Sequence, residues 1–486
     1  MTGAGAPRRG FIAEHGLWNE EQQEAAERLK DTVEERELRE IRIAWGDQHG
    51  IVRGKTLMIP EFLTALERGK DFQFVTTIFD TTNHPIVPPF AAGNFAGVPE
   101  LDGLPDGVLV PDPLTFRVLP WVERTGWILA DAHFQSGREH PFSTRGVLRR
   151  QLAGLAELGY DLLVGLEIEF YIFRLEDLML RPEDSGYPPE APKVSILQHG
   201  FQYLTESRAD EIADLLRVLR GHLLDLGLPL STIEDEWGPG QIEFTFEPQD
   251  ALTAADNALI FRNAVKQICR RLGYHATFMA RPAMANLFGT GWHVHESLTS
   301  RANRDNAFRD ADGERHLSTL GSQWLAGLLE HALPACVFTT PTLTGYKRYR
   351  PDSFAPDRVT WAVENRAAMF RIIGRPGEPS CHIENRVGDP AANPYLYLAS
   401  QAASGLDGVK RELDPGDATK EPYASEHPRL PASLMDAVDA LDRDGFFRGA
   451  FGQTFVDYIL QLKRFEIGRF LEHVTDWEQR EYFEMY

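Results

Sequence analysis

The chain has little cysteine, no long apolar run and no surplus of basic charge. Its 486 residues include three scattered cysteines, Cys269, Cys336 and Cys381, and no CxxC pair, which argues against a disulfide-stabilised secreted protein and favours buried free thiols in a reducing cytosol. No apolar run is long enough to span a bilayer, and residues 1–10 lack the apolar core of a secretory signal. The formal net charge of −22 argues against nucleic-acid binding. The sequence therefore predicts a soluble cytoplasmic protein without nucleic-acid or membrane partners.

The chain also lacks an internal repeat and a GKS or GKT phosphate-binding loop. Short apolar runs separated by Gly and Pro predict a small mixed β region from Ile41 to about Asp131. Ser143 or Thr144 is a suitable cap for the helix that follows, and beyond it predicted helices alternate with strands, which indicates an α+β domain. The predicted divisions are a loose tail (1–18) and a surface helix within 1–40, a β domain (41–140) and a catalytic domain (141–486).

One pair of glutamates and one pair of histidines have the spacing expected on a β-strand. Glu167 and Glu169 lie at i and i+2 in GLEIEF, and His293 and His295 at i and i+2 in GWHVHESL. On a strand, this spacing places both side chains of a pair on one face. Either pair alone has an ordinary alternative, a solvated strand face for the acids and a non-metal role for the histidines. The apolar neighbours of Glu167 and Glu169 favour a buried strand and therefore a need for compensating positive charge.

Further acids and bases follow. Glu236 and Glu243 flank a Gly-Pro-Gly break that allows both to return to one site, and Glu384 precedes Asp389-Pro390, which predicts a helix start. Five glutamates with one or two histidines suit Mg²⁺ or Mn²⁺, two of which can clamp a transferring phosphoryl group. Basic residues suited to bind phosphate and carboxylate are Lys347, Arg348, Arg366 and Arg371.

From about Ile41 to Tyr486 the chain resembles the bacterial type of the glutamine synthetase family. The segments that carry the resemblance occur in order: IRIAWGDQHGIVRGK, VPDPLTF, GLEIEF, EWGPGQIEF, ATFMARP, GTGWHVHESL, GYKRYRP, ENRAAMFRI, HIENRVGDPAANPYLYLA and VTDWEQREYFEMY. The resemblance implies a β-grasp-like N-terminal domain and a catalytic domain of antiparallel strands with packed helices. It also implies ATP as co-substrate, two or more Mg²⁺ or Mn²⁺ ions, and a homo-oligomer of stacked rings whose active sites lie between subunits.

The resemblance also implies roles for individual residues. One metal would be held by Glu169, Glu236 and Glu243, and a second by Glu167, His293 and Glu384. The nucleotide would be near His295, Ser297 and Arg371; glutamate near Gly289, Arg348, Arg366 and Arg386; and the transferring phosphoryl group near Arg366 and Arg371.

The chain departs from the family pattern mainly at the amine end. Phe354 stands where the family usually has a flap Glu, and Phe288 begins a glutamate loop that usually starts with Asn. His382 replaces an Arg, and the acidic ammonium-site residue matches Asp80, followed by Thr81 where the family has Gly. Loss of an acid and gain of apolar surface favour an organic amine over ammonium.

The predicted activity is therefore ATP-dependent formation of a γ-glutamyl amide from glutamate and an apolar amine, through γ-glutamyl phosphate. Phe354, Phe288 and Trp292 are the predicted residues that discriminate between amines. Two alternatives remain open: an ordinary ammonia-using glutamine synthetase, with Phe354 merely packing the flap, and a catalytically silent scaffold or sensor. The identity of the amine, the preferred metal and the ring size are not predicted.

Overall fold

The structure is a computed structural model that describes residues 10–91, 93 and 97–486. This part of the chain contains two separate sheets, one of six strands and one of ten, with helices packed on them. None of its helices is long and apolar enough to cross a membrane.

The six-stranded sheet has the order β2-β1-β6-β4-β3, with β5 paired to β6. The β1–β6 pair is parallel and the other pairs are antiparallel, which confirms the predicted mixed β region. Its strands are β1 (Glu40–Gly46), β2 (Val52–Met58), β3 (Lys70–Gln73), β4 (Asp106–Pro111), β5 (Arg117–Val118) and β6 (Thr125–His133).

Three helices accompany this sheet, and the first of them corrects the prediction of a loose tail over residues 1–18. Residues 1–9 lie outside the described residues, but Ile12 is buried and the Trp18 indole N–H donates to the Pro111 carbonyl at 2.9 Å. Ile12 packs against Val108 and Val110 of β4, and this contact holds the segment on the sheet. The helices are α1 (Phe11–Glu14), α2 (Glu20–Glu35) and α3 (Ile59–Arg68).

The ten-stranded sheet carries the candidate site. Its main path is β14-β15-β16-β13-β7-β10-β9, antiparallel except between β14 and β15. The strands are β7 (Tyr160–Leu175), β8 (Val194–Ser195), β9 (Leu230–Asp235), β10 (Gln241–Phe246), β11 (Gln249–Asp250), β12 (Tyr274–Thr277), β13 (Trp292–Ser300), β14 (Trp361–Val363), β15 (Phe370–Ile373) and β16 (His382–Gly388).

Strand β7 is the centre of this sheet because its 16 residues pair with several neighbours. Leu166, Ile168 and Phe170 are buried in the core. The alternating residues Glu167 and Glu169 therefore project from the opposite face, as their spacing predicts.

Eleven α-helices follow within residues 144–482 of the described chain, and some of them pack on the core face of the large sheet. Helix α4 begins after Ser143, whose hydroxyl accepts from the Gly146 amide at 3.1 Å, as predicted. The predicted start at Asp389-Pro390 is wrong, because Asn393 caps the helix that begins at Pro394. These helices are α4 (Thr144–Glu157), α5 (Glu206–Asp210), α6 (Ala213–Asp225), α7 (Ala251–Arg271), α8 (Thr319–Glu330), α9 (Ala332–Thr339), α10 (Pro394–Lys410), α11 (Leu434–Arg443), α12 (Phe446–Phe451), α13 (Gln453–Glu472) and α14 (Asp476–Tyr482).

A buried ionic cluster joins the two sheet regions. Arg145 at the start of α4 pairs with Asp112 and Asp131 from the N-terminal region and with Asp256 from α7, at 2.8, 3.1 and 2.8 Å. All four side chains are largely excluded from solvent, so the loss of one would leave charge uncompensated.

The predicted domain boundary at 140/141 falls just before α4, and it stays a prediction. All three cysteines are buried free thiols, as predicted.

Candidate active site

The strand registers place the acids side by side. Across the large sheet, Glu243 is directly opposite Glu169, Glu167 is opposite His293, and His295 is opposite Glu384. Directly paired residues project from the same face of a sheet. We call this row the acid face, which comprises Glu167, Glu169, Glu234, Glu236, Glu243, His293 and Glu384.

The acid face contains three groups of side chains close enough to share a cation. In each group, one ligand atom per residue lies within 4.8 Å of the others. The first group is identical to one predicted metal set. The other two share Glu243 and together contain the second predicted set, with His293 and Glu234 in addition. The groups are Glu167–His293–Glu384, Glu169–Glu243–His293 and Glu234–Glu236–Glu243.

The electrostatics of these acids suit bound cations. Burial raises the pKa of Glu169 to about 8, with the charge of Glu236 adding to the rise. Burial also raises the pKa of Glu243 to about 11, and Glu167 and Glu169 contribute. These carboxylates repel one another without sufficient compensation from the chain itself. Oxygen-rich, crowded and partly buried acids are a fitting donor set for hard divalent ions.

Glu167 and Glu384 behave differently because they have basic partners. Burial opposes their ionisation, but His293 and His295 outweigh it for Glu167, and Arg386 and His293 outweigh it for Glu384, so both pKa values are lowered. His293 Nδ1 lies 2.5 Å from Glu167 Oε1. This half of the acid face therefore stays ionised and ready to bind a cation.

Two histidines extend this half toward the predicted nucleotide end. His295 Nε2 lies 3.2 Å from Glu167 Oε2, and its Nδ1 lies 3.0 Å from His382 Nε2. His382, which departs from the family pattern, is thus a direct neighbour of the site. Ser297, two residues further along β13, is buried on the same strand.

The predicted arginines surround Glu384. Arg371 bonds Glu384 and Glu364 at 3.1 and 2.6 Å, and Arg386 forms a short ion pair with Glu384. Arg386 also donates to the Arg366 carbonyl at 3.1 Å. Within the part of the chain that the structure describes, no carboxylate pairs with the exposed Arg366 guanidinium at 4.0 Å or less, so it is available for an anionic ligand.

Arg348 lies at the opposite end of the acid face, against a glycine-rich loop. It is buried and donates to the carbonyls of Val387 and Gly388 at 3.2 and 2.7 Å. A side chain at Gly291 would place its Cβ 2.7 Å from Arg348 Nη2, and one at Gly289 would place it 2.9 Å from Arg348 Cγ. Glycine at these positions lets the loop backbone approach the Arg348 side chain closely, which any larger residue would prevent.

Asp80 lies apart from the acid face in this single chain. It follows a short helical turn after β3, forms a short ion pair with Arg469, and accepts from the amides of Thr82 and His84 at 2.8 and 2.9 Å. Its predicted role in handling the amine would need a second subunit, and stays a prediction.

Five aromatic side chains form a cluster beside the acid face. Trp237 contacts the rings of Tyr203, Phe288 and Phe354 with centroids 6.0, 6.0 and 6.2 Å apart, and Phe201 contacts Phe288 at 4.9 Å. These distances are typical of interacting aromatic rings. All five are well exposed, between 40% for Phe288 and 68% for Phe354. We call this cluster the ring wall.

Phe354 occupies an unfavourable backbone conformation. Its φ is +60°, in the left-handed region that bulky residues rarely adopt. The ring is mostly exposed, so packing within this chain does little to offset the cost.

Trp292, which was also predicted to discriminate between amines, is fully buried against Tyr397, so that prediction is wrong.

Sequence reasoning missed several neighbours of the site. Glu234 lies opposite Glu243 and has the same i, i+2 spacing to Glu236 that identified the other pairs. Gln241 Nε2 donates to Glu169 Oε2 at 2.8 Å. Phe201 and Tyr203 lie in an irregular segment without periodicity, so no local signal identifies them.

Comparisons with known proteins agree with this geometry. Residues 141–482 match the family model described as glutamine synthetase, catalytic domain. The chain is 43% identical to γ-glutamylanilide synthase of Acinetobacter sp over 494 aligned residues, covering 98% of this chain and 99% of that protein. It is 33% identical to glutamine synthetase of Halobacterium salinarum over 395 residues, covering 78% and 83%. A solved structure described as apo GmaS without ligand has a TM-score of 0.77 and 29% identity, covering 93% of this chain and 98% of that one.

Proposed function

The chain belongs to the glutamine synthetase family, and we propose that it joins the γ-carboxylate of glutamate to an organic amine that carries an apolar group. As a member of this family it is an ATP-dependent carbon–nitrogen ligase that acts on glutamate, and it has the family's α+β fold. The observation that carries the finer proposal is the ring wall beside the acid face.

The acid face fits the divalent ions that the family requires. We propose that Glu167, His293 and Glu384 hold one ion and that Glu169, Glu236 and Glu243 hold another, with Mg²⁺ or Mn²⁺ as the cation. When bound, these ions neutralise phosphate charge and orient the phosphoryl group. Their positive charge would also relieve the repulsion that raises the pKa values of Glu169 and Glu243.

The chain's own residues position both reactants. Arg348, which packs against Gly289 and Gly291, would bind one carboxylate of glutamate, with Arg386 as a second glutamate ligand. Arg366 and Arg371 would offset charge on the γ-phosphoryl group of ATP, with His295 and Ser297 nearer the nucleotide. A γ-carboxylate oxygen forms a bond to Pγ as the bond between Pγ and the β,γ-bridging oxygen breaks, releasing ADP.

The amine completes the reaction at the resulting γ-glutamyl phosphate. Its nitrogen lone pair attacks the γ-carbonyl carbon, the C–O bond breaks, and phosphate departs with the electron pair while the nitrogen loses a proton. An ammonium ion needs an acid to hold and deprotonate it. An organic amine with a low pKa needs less help, and its apolar part gains free energy against Phe354 and Phe288.

Two alternatives make different predictions. An ordinary glutamine synthetase would use ammonia at least as well as any organic amine, with the ring wall serving only to pack the flap. A silent scaffold would be expected to lose metal ligands, whereas all six predicted positions carry Glu or His.

The decisive experiment is ATP-dependent phosphate release with glutamate and a panel of amines, with mass spectrometry of the products. The panel contains ammonia, alkylamines, arylamines and a polyamine. We expect an apolar amine to give the highest kcat/KM. Equal or better use of ammonia, or a preference for the polyamine, would contradict the proposal.

We also propose that the active protein is a homo-oligomer of stacked rings in which the N-terminal β domain, with Asp80, completes a neighbouring site. Dilution to monomer should then abolish activity. A sedimentation-coupled assay that finds a fully active monomer would refute this assembly.

A further inference from the structure

The ring wall is tied to the catalytic residues by short connections. The Trp237 amide donates to Glu236 Oε2 at 3.2 Å, so the indole directly follows a predicted metal ligand. The Phe288 amide donates to the Tyr171 hydroxyl at 2.9 Å, and that hydroxyl bonds Gln241, which in turn donates to Glu169. The position of these rings is therefore coupled to that of the acids.

The other rings are anchored in the same way. Gln202 donates to the Glu236 carbonyl at 2.8 Å, and its own amide donates to the Trp237 carbonyl at 3.3 Å. These bonds hold Phe201 and Tyr203 on either side of Gln202 against the Trp237 segment. The Phe354 carbonyl accepts from Arg386 at 3.5 Å. Four segments distant in sequence thus bring exposed rings to one place at the edge of the reaction centre.

The geometry points to a neutral aromatic amine as the substrate, and we propose that Phe201, Tyr203 and Trp237, together with Phe288 and Phe354, select it over alkylamines. This inference rests on the proposed function. The rings meet at steep angles, 66° for Phe201 with Phe288 and 87° for Trp237 with Phe288. A flat ligand ring can pack edge-to-face in such an arrangement.

The alternative ligand for an aromatic cluster is an alkylammonium ion held by cation–π attraction. That contact would stabilise the protonated amine, whose nitrogen lacks the free lone pair that attacks the carbonyl carbon. An arylamine is neutral at pH 7, so its nitrogen keeps the lone pair that the reaction needs.

The test compares aniline, isopropylamine and ammonia in the full-length enzyme and in two matched pairs of variants. Trp237→Leu and Phe201→Leu remove a ring, whereas Trp237→Phe and Phe201→Tyr keep one. For each protein, kcat/KM is measured for each amine together with KM for glutamate and for ATP.

The wild-type enzyme should prefer aniline to isopropylamine. Each Leu variant should lower the aniline-to-ammonia ratio of kcat/KM by about 10-fold or more, as expected from loss of an apolar contact. The ring-keeping variants should retain that ratio within about 3-fold, and KM for glutamate and ATP should stay near the wild-type values.

The outcomes separate this inference from the proposed function. If the wild-type enzyme uses isopropylamine as well as aniline, or if the Leu variants lower the rates with aniline and ammonia equally, the inference is wrong while a preference for organic amines stands. If ammonia is the best substrate of the wild-type enzyme, the proposed function itself fails. An intact preference for aniline in both Leu variants would also overturn the inference.

Discussion

The acid face and the ring wall meet at Glu236 and Trp237, yet they are built in opposite ways. Six of the seven residues of the acid face lie on paired strands and Glu236 directly follows β9, and they are held by register, ion pairs and burial. The ring wall lies on loops, and its members are exposed and contact mainly one another. Strands hold side chains in the precise positions that phosphoryl transfer needs, whereas residues on loops can be substituted without disturbing the core.

The acid face and the ring wall also differ in charge, and this difference indicates which ligand each favours. Burial and neighbouring carboxylates raise the pKa values of Glu169 and Glu243, and bound cations would relieve the repulsion, so the acid face favours a cationic ligand. The ring wall has unburied apolar surface and, at Phe354, an unfavourable backbone conformation, so it gains from an apolar ligand. The acid face therefore favours metal cations, whereas the ring wall favours the apolar part of a substrate.

The largest expected effect comes from breaking the acid face. Glu169→Ala or Glu243→Ala should lower turnover by roughly 100- to 1,000-fold or more with every amine, because the activation step precedes the choice of amine. Thermal stabilisation by added Mn²⁺ should weaken as well. Circular dichroism controls for folding, and near-normal turnover in either variant would show that the metal assignment is wrong.

A smaller effect should follow at the glutamate end. Arg348→Lys replaces a planar fork of donors with a point charge and should raise KM for glutamate by roughly 10- to 100-fold, equivalent to the loss of one or two charge-assisted hydrogen bonds. The ratio of kcat/KM between an organic amine and ammonia should change little. If the variant changes the ratio of kcat/KM between the two amines but not the KM for glutamate, Arg348 contacts the amine and not glutamate.

The smallest expected effect concerns the backbone of the ring wall. Phe354→Gly and Phe354→Ala both remove the ring, but only Gly relieves the positive φ. The Gly variant should therefore be more stable than the Ala variant by about 1 kcal/mol, measured by denaturant unfolding. Both should lose preference for the organic amine to a similar extent, and equal stabilities would argue against strain at this position.

The acid face was largely predictable because strand spacing is a local signal. The pairs Glu167/Glu169 and His293/His295 project from one sheet face as their i, i+2 spacing indicates. Glu234 has the same i, i+2 spacing to Glu236 and lies opposite Glu243, so the same local signal identifies it.

The ring wall was predictable only in part. Phe354 and Phe288 stand out because they replace polar residues of a known pattern. Phe201 and Trp237 meet them through tertiary contacts between loops, which leave no periodicity in the sequence. The same limit applies to α10, where Asn393 rather than Asp389 provides the cap, because both residues are suitable and the choice depends on packing.

The central claim is that the acid face supplies chemistry common to any amine while the ring wall selects the amine. Its most direct test is a competition between equal concentrations of aniline and ammonium, with glutamate and ATP, in which γ-glutamylanilide and glutamine are quantified by mass spectrometry. The wild-type enzyme should form mainly the anilide, and Phe354→Glu should shift the product ratio toward glutamine by about 10-fold or more. Wild-type enzyme that forms glutamine as readily as the anilide, or a ratio that Phe354→Glu leaves unchanged, would contradict the account.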